Sequence, residues 1–345
     1  ELDRVTGERA MLPVDGVSVL CALMLIAAAL LTTVLHRQRM MAIICLSVVG
    51  LIVSLIFVRF SAPDLALTQL SVEVVSVLLL MLAMYFLPAR AKADSNSLRV
   101  GRDAVLAVLI GTGVAVAALL VMTTDIATIS PFFLENSVPG GGGTNVVNVI
   151  LVDFRGFDTF GEITVLGIAA LGIYALLSDL KLVSAKYDPF GRPWAHDAHP
   201  LVLVTLSRPL LPLALMIAVY IFLRGHNMPG GGFIAGLITA IALIQQYVAH
   251  GVVWMKERMP INYLGLIASG LLIATLSGLG SWAFGHHFLT TWFDHFHLPL
   301  VGEFELASAM VFDFGVYLTV IGATLLILAN LGKLTTSERL QAGDN

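Results

Sequence analysis

The chain has 345 residues, 58% of them hydrophobic and 12% charged, with a formal net charge of −4. Soluble domains carry about 25% charged residues, so this composition, with a mean hydropathy of +0.91, excludes an ordinary water-soluble globule. No basic cluster is present that would hold a nucleic acid.

Apolar runs of about 20 residues, each able to cross about 30 Å of hydrocarbon, recur along the chain. They predict about nine transmembrane helices, near 15–35, 40–60, 63–87, 104–124, 160–178, 201–224, 231–252, 263–284 and 306–330. Residues 146–158 read as a partial tenth element. The expected fold is an all-α polytopic membrane protein. Lys and Arg gather in alternate loops: Arg37 and Arg39, then Arg90, Lys92, Arg99 and Arg102, then Lys181, Lys186 and Arg192, then Lys256 and Arg258, with Lys333 and Arg339 in the tail. Two of the intervening loops hold Asp125, Glu135, Asp294 and Glu303 instead. The positive-inside rule then places the N-terminus outside and the C-terminus inside. The chain starts at Glu1 without an initiator Met, which is expected of a segment of something longer; Arg4 and Arg9 weigh against an outside N-terminus. Pro189, Pro193 and Pro200 mark 185–200 as a linker between a five-helix unit, 1–184, and a four-helix unit, 201–334. Cys21 and Cys45 form no metal or disulfide pattern and read as small core residues.

Charge within the spans is where function is sought, because a buried ionisable group is expensive. The third span opens on Ser61-Ala-Pro-Asp64, a capping-box pattern with Ser61 as N-cap. Asp64 therefore reads as a cap, with a place in the ion or proton pathway as the alternative. Glu73 lies nine residues on, about 13–14 Å along the axis, near mid-membrane. It is a functional carboxyl, or a protonated one that only packs.

Residues 146–167 hold Asp153, Arg155, Asp158 and Glu162 within ten positions at the mouth of an apolar helix. Arg155, Asp158 and Glu162 share one face if the segment is helical, and Gly156 is a point where the helix can break. Converging carboxylates at a broken helix suit a cation, with Asp158 and Glu162 as a possible Na+ site; a structural ion-pair network fits equally. The preceding run Gly140 to Gly143 is not expected to be helical. His226, in the short turn between the sixth and seventh spans, reads either as a proton relay at the outer mouth or as a solvated surface residue. Asp313 lies about seven residues inside the last span and reads as functional or pairing. His286, His287, Asp294, His295 and His297 match no metal-site spacing and read as an exposed, proton-buffering loop, and His196-Asp197-Ala-His199 is a similar weak match. No cofactor motif and no nucleophile–base pair appears, which argues against an enzyme.

Three stretches carry a resemblance: DLALTQLSVE at 64–73, NVVNVILVDFRGFDTFGE at 145–162 and RGHNMPGGGF at 224–233. They resemble the Mrp-type multisubunit cation/proton antiporters, whose membrane subunits are similar to those of respiratory complex I and membrane-bound hydrogenases. Residues 1–184 look like the C-terminal part of the large A-type subunit, and 201–334 like the B-type subunit, fused on one chain. The resemblance implies a secondary active transporter component in a bacterial cell membrane, sodium export driven by proton entry, and partners in a hetero-oligomeric complex, with Na+, H+ and lipid as the other contacts. It also implies that the third helix matches one that can carry a π-bulge. Glu73, Asp158, Glu162 and His226 fall in the family's motifs. On this basis Glu73 is expected to exchange protons, and Asp153, Asp158 and Glu162 with Arg155 to form a coupling or sodium-access site. The competing expectations are a non-conducting scaffold and a self-contained transporter, the latter disfavoured because no inverted repeat is found.

Overall fold

A computed structural model describes residues 14–84, 96–124, 126–178, 201–298 and 302–336. The linker 185–200, Asp125 and the His196–His199 cluster lie outside these residues. The fold is all-α and polytopic. Long helices α1 (Gly16–Val34), α2 (Arg39–Arg59), α3 (Pro63–Met84) and α4 (Ser97–Thr123) come first. Short α5 (Ser130–Gly141) and α6 (Val146–Val149) lead into a π-helical turn, Ile150–Phe154, and then α7 (Gly156–Ser178). After these come α8 (Leu201–Arg224), α9 (Gly232–Arg258), α10 (Tyr263–Ala283), a hairpin of β1 (Phe293–Leu298) and β2 (Gly302–Ala307), and α11 (Ala309–Thr336). Nine helices among the described residues are long and apolar enough to span a bilayer.

Burial decides the layout. Two thirds of the α9 and α11 spans are buried (67% each), against 6% for α1 and none for α4. The pair α9 and α11 forms the centre, with α8 and α3 on α9, and α10 and α7 on α11. The main core joins Val75 of α3, Val152 and Ile163 around the π turn and α7, and Phe312, Val316 and Val320 of α11. Gly270 and Gly315 let α10 and α11 touch backbone to backbone; a Cβ on Gly270 would meet the Gly315 carbonyl at 2.6 Å. Small residues serve membrane helices this way because bilayer lipid supplies no hydrophobic drive to association. At the chain's start Asp15 caps α1 through the Ser18 N–H and binds Arg59 of α2 at 3.0 Å. The Ser18 hydroxyl and the Arg59 guanidinium together hold the Asp15 carboxyl down at about 2.

Several expectations change. Ser61 is not the N-cap of α3: its φ of 56° is left-handed, whereas a cap residue is extended, and the helix opens with Pro63, whose missing N–H suits that position. The third helix, likened by resemblance to one that can carry a π-bulge, is regular throughout; the π turn sits at Ile150–Phe154. The glycine run is partly helical after all. Gly140 and Gly141 complete α5, and Gly142 ends it in a left-handed conformation (φ 75°), a usual terminus for glycine. The last predicted span begins too early by three residues, because 302–307 pair as β2 with β1. The seventh span is right to stop near 252: Gly251 is non-helical (φ 82°) inside α9.

Candidate functional site

The turn between α8 and α9 is built from glycine and is held from both sides by carboxylates. Asp64, at the start of α3, accepts the Gly230 N–H at 2.9 Å and the Asn145 amide at 3.3 Å. Asp313, on α11, accepts the Gly232 N–H at 2.6 Å. Gly232 is the first residue of α9, and its N-cap, Gly231, has no side chain to cap with. Asp313 caps the helix from a neighbouring element, where the partial positive charge of the helix end favours an anion. Gly231 adopts φ 107°, open to glycine alone, and a Cβ on Gly232 would come within 2.1 Å of the Asp313 carbonyl.

These groups border one cavity of about 320 Å³. Its walls carry Asp64 and Thr68 from α3, Asn148 from α6, Thr159 and Glu162 from α7, the Gly230–Gly232 backbone, and Asp313 from α11. Asp313 is 9% exposed and buried on this wall; Glu162 is exposed. Asp64 thus acts as a tie to the turn, a reading the capping pattern concealed.

The four-charge stretch divides. Glu162 joins the cavity. Arg155, outside helical geometry at φ −127°, pairs with Asp158 at 2.5 Å, both half-exposed. Such pairs contribute about 0–1 kcal/mol. Asp158→Asn is therefore expected to shift the thermal midpoint of the assembled protein by no more than a degree or two, on the order of 0.5 kcal/mol, read by melting in detergent. Asp153, in the π turn, does not line the cavity: it accepts the Thr291 N–H at 3.2 Å. Burial pushes its carboxyl up, with the Thr291 N–H pulling against that.

His226 is not the solvated surface residue that one reading held. It is 8% exposed, and its Nε2 lies 3.0 Å from the Gly141 carbonyl oxygen. It pins the glycine run of α5 beside the turn, which Thr144 and Asn145 also bind, through Asn227 and the Gly225 and Met228 carbonyls. Glu73 is apart from the cavity. Its carboxyl packs on Gly50 of α2, where a Cβ would lie 2.0 Å from Oε2. His286 and His287 are exposed after α10; Asp294, His295 and His297 are exposed too, but on β1 rather than in the loop the sequence predicted. Among the described residues, no three His, Cys, Asp or Glu side chains gather as a metal site.

Sequence reasoning missed Asn145, Asn148, Thr159 and the Gly230–Gly232 backbone. Asn145 and Asn148 were legible in principle as two amides one turn apart in an apolar run.

Comparison with known proteins assigns these converging segments to separate families. The MbhD family of MBH subunits matches residues 23–89, the MbhE family of MBH subunits matches 98–186, and the family described as "Domain related to MnhB subunit of Na+/H+ antiporter" matches 202–326. The cavity draws Asp64 from the first, Asn148, Thr159 and Glu162 from the second, and the glycine turn and Asp313 from the third. A probable K+/H+ antiporter A/B-type subunit of Rhizobium meliloti is 43% identical over 85% of this chain and 32% of its own length. The B-type subunit of a Bacillus subtilis Na+/H+ antiporter is 41% identical over 39% of this chain and 93% of its own. The A-type subunit from the same organism is 47% identical over 47% of this chain and 20% of its own. The structure of the Mrp complex from Dietzia sp. DQ12-45-1b superposes with a TM-score of 0.83 at 31% identity, over 95% of this chain and 36% of that one. The chain spans about a third of the A/B-type relative. It belongs to the Mrp-type multisubunit cation/proton antiporter family, as a multi-pass bacterial membrane protein that joins A-type and B-type sequence in one polypeptide.

Proposed function

We propose that the chain is a membrane component of a multisubunit monovalent cation/proton antiporter, a secondary active transporter, and that it works within a hetero-oligomer in contact with lipid. The observation that carries this reading is the shared cavity: Asp64, Glu162 and Asp313 reach it from three separately matched segments. A carboxylate that holds either a cation or a proton, not both, couples their fluxes by competition. We assign the cavity to that exchange, and place it toward the outer face, where the alternation of basic loops puts the starts of α3, α7 and α11. The half-exposed Arg155–Asp158 pair lies at its approach, His226 braces the turn behind it, and Asp153 ties the π turn to Thr291. Glu73 serves as a proton carrier in mid-membrane, held in place by Gly50. The break between units at 185–200 is the junction of the A-type and B-type parts, as the gap between matched families at 186 and 202 suggests.

Glu73→Gln tests the carrier role. In the full complex in everted vesicles, exchange is expected to fall at least about tenfold, as for loss of a group that stabilises a step by about 1.4 kcal/mol, with the native-gel band unchanged. Undiminished exchange in an assembled complex would remove Glu73 from the path.

A further inference from the structure

Many threonine hydroxyls on the spanning helices are satisfied within their own helix. Thr68, Thr164, Thr275 and Thr319 each donate to the carbonyl four residues back, at 2.7–2.9 Å. Thr159 differs. It stands one turn before Glu162 on the cavity wall, 6% exposed, and its Oγ1 has no hydrogen-bond partner. The carbonyl four residues back belongs to Arg155, which has left helical geometry and already accepts the Asp158 N–H at 2.9 Å. The break that admits Arg155 thus strands the Thr159 hydroxyl. Unpaired buried polar atoms are the exception in folded proteins, and this one borders a cavity lined by carboxylates.

A hydroxyl oxygen offers lone pairs to a cation, and at physiological pH neither takes up nor gives up a proton. Hard cations take oxygen ligands of this kind. We propose that Thr159 is a neutral ligand for the transported alkali cation in the cavity of Asp64, Glu162 and Asp313, setting cation affinity without altering proton exchange. The inference rests on the cavity being the exchange site.

The test uses the full complex in everted vesicles, assayed with sodium and with potassium as the two arms. Thr159→Val keeps the side-chain shape and removes the oxygen. The concentration of the transported cation that half-saturates exchange is expected to rise about tenfold, with the pH profile and the native-gel band unchanged and Thr159→Ser close to the parent. An unchanged half-saturation in both arms overturns the proposal. So does failure of both Thr159→Val and Thr159→Ala to assemble, which would make the hydroxyl structural. Asp313→Asn run in parallel separates the two layers. Lost exchange there beside an unaffected Thr159→Val removes only the Thr159 ligand, whereas full exchange in Asp313→Asn removes the cavity reading beneath it.

Discussion

Asp313→Asn is expected to reduce cation/proton exchange at least about tenfold, while the complex still assembles. The substitution keeps an oxygen able to accept the Gly232 N–H, so α9 keeps its cap. What is lost is the negative charge, and with it, on the proposed function, the alternation between a cation and a proton. Removing charge at a helix N-terminus costs about 0.3–2 kcal/mol of local stability, little against the packing that buries α9 and α11. Exchange in everted vesicles and a native gel of the same membranes read the two effects separately. A scaffold role predicts the reverse: assembly falls, and whatever complex survives transports normally.

Gly232→Ala is expected to act on structure first. The added Cβ would stand 2.1 Å from the Asp313 carbonyl and 2.7 Å from its Oδ1, both inside contact distance. The nearest atom is helix backbone, so α9 must move off α11, the two most buried helices of the fold. Overpacking of this kind costs about 1–3 kcal/mol, occasionally more. The expected outcome is a lowered melting midpoint, or loss of the complex from native gels. Gly161→Ala is the contrast: nothing lies within 4 Å of its Cβ position, and alanine favours a helix, so stability there should hold or rise. Equal behaviour of the two variants would contradict the close approach of α9 and α11.

The fold was largely legible because spanning a bilayer imposes length and apolarity on every helix, and those are properties of local sequence. Asp153, Arg155, Asp158 and Glu162 announced themselves in the same way, as charges where charge is costly. Their partition was not legible. Whether Glu162 shares a wall with Asp64 or with Asp158 depends on where the helix restarts, and that is set by the π turn and by Arg155 leaving helical geometry. The cap reading of Asp64 fails for a related reason. Its spacing from Ser61 fits a local cap, but the donors it finds are 81 and 166 residues away. Thr159 gave no signal at all, since an ordinary threonine in a helix returns its hydroxyl to its own backbone.

Asp64 and Asp313 grip N–H groups two residues apart on one short turn. The turn is in effect a rope held at both ends. If one carboxylate takes a proton or a cation and loosens its hold, the turn settles toward the other, and the second group's affinity changes. Thermodynamic linkage then requires the influence to run equally in both directions. A ligand at Asp64 must alter binding at Asp313 by the same factor by which a ligand at Asp313 alters binding at Asp64, although the two residues lie on different helices, in segments that match separate families.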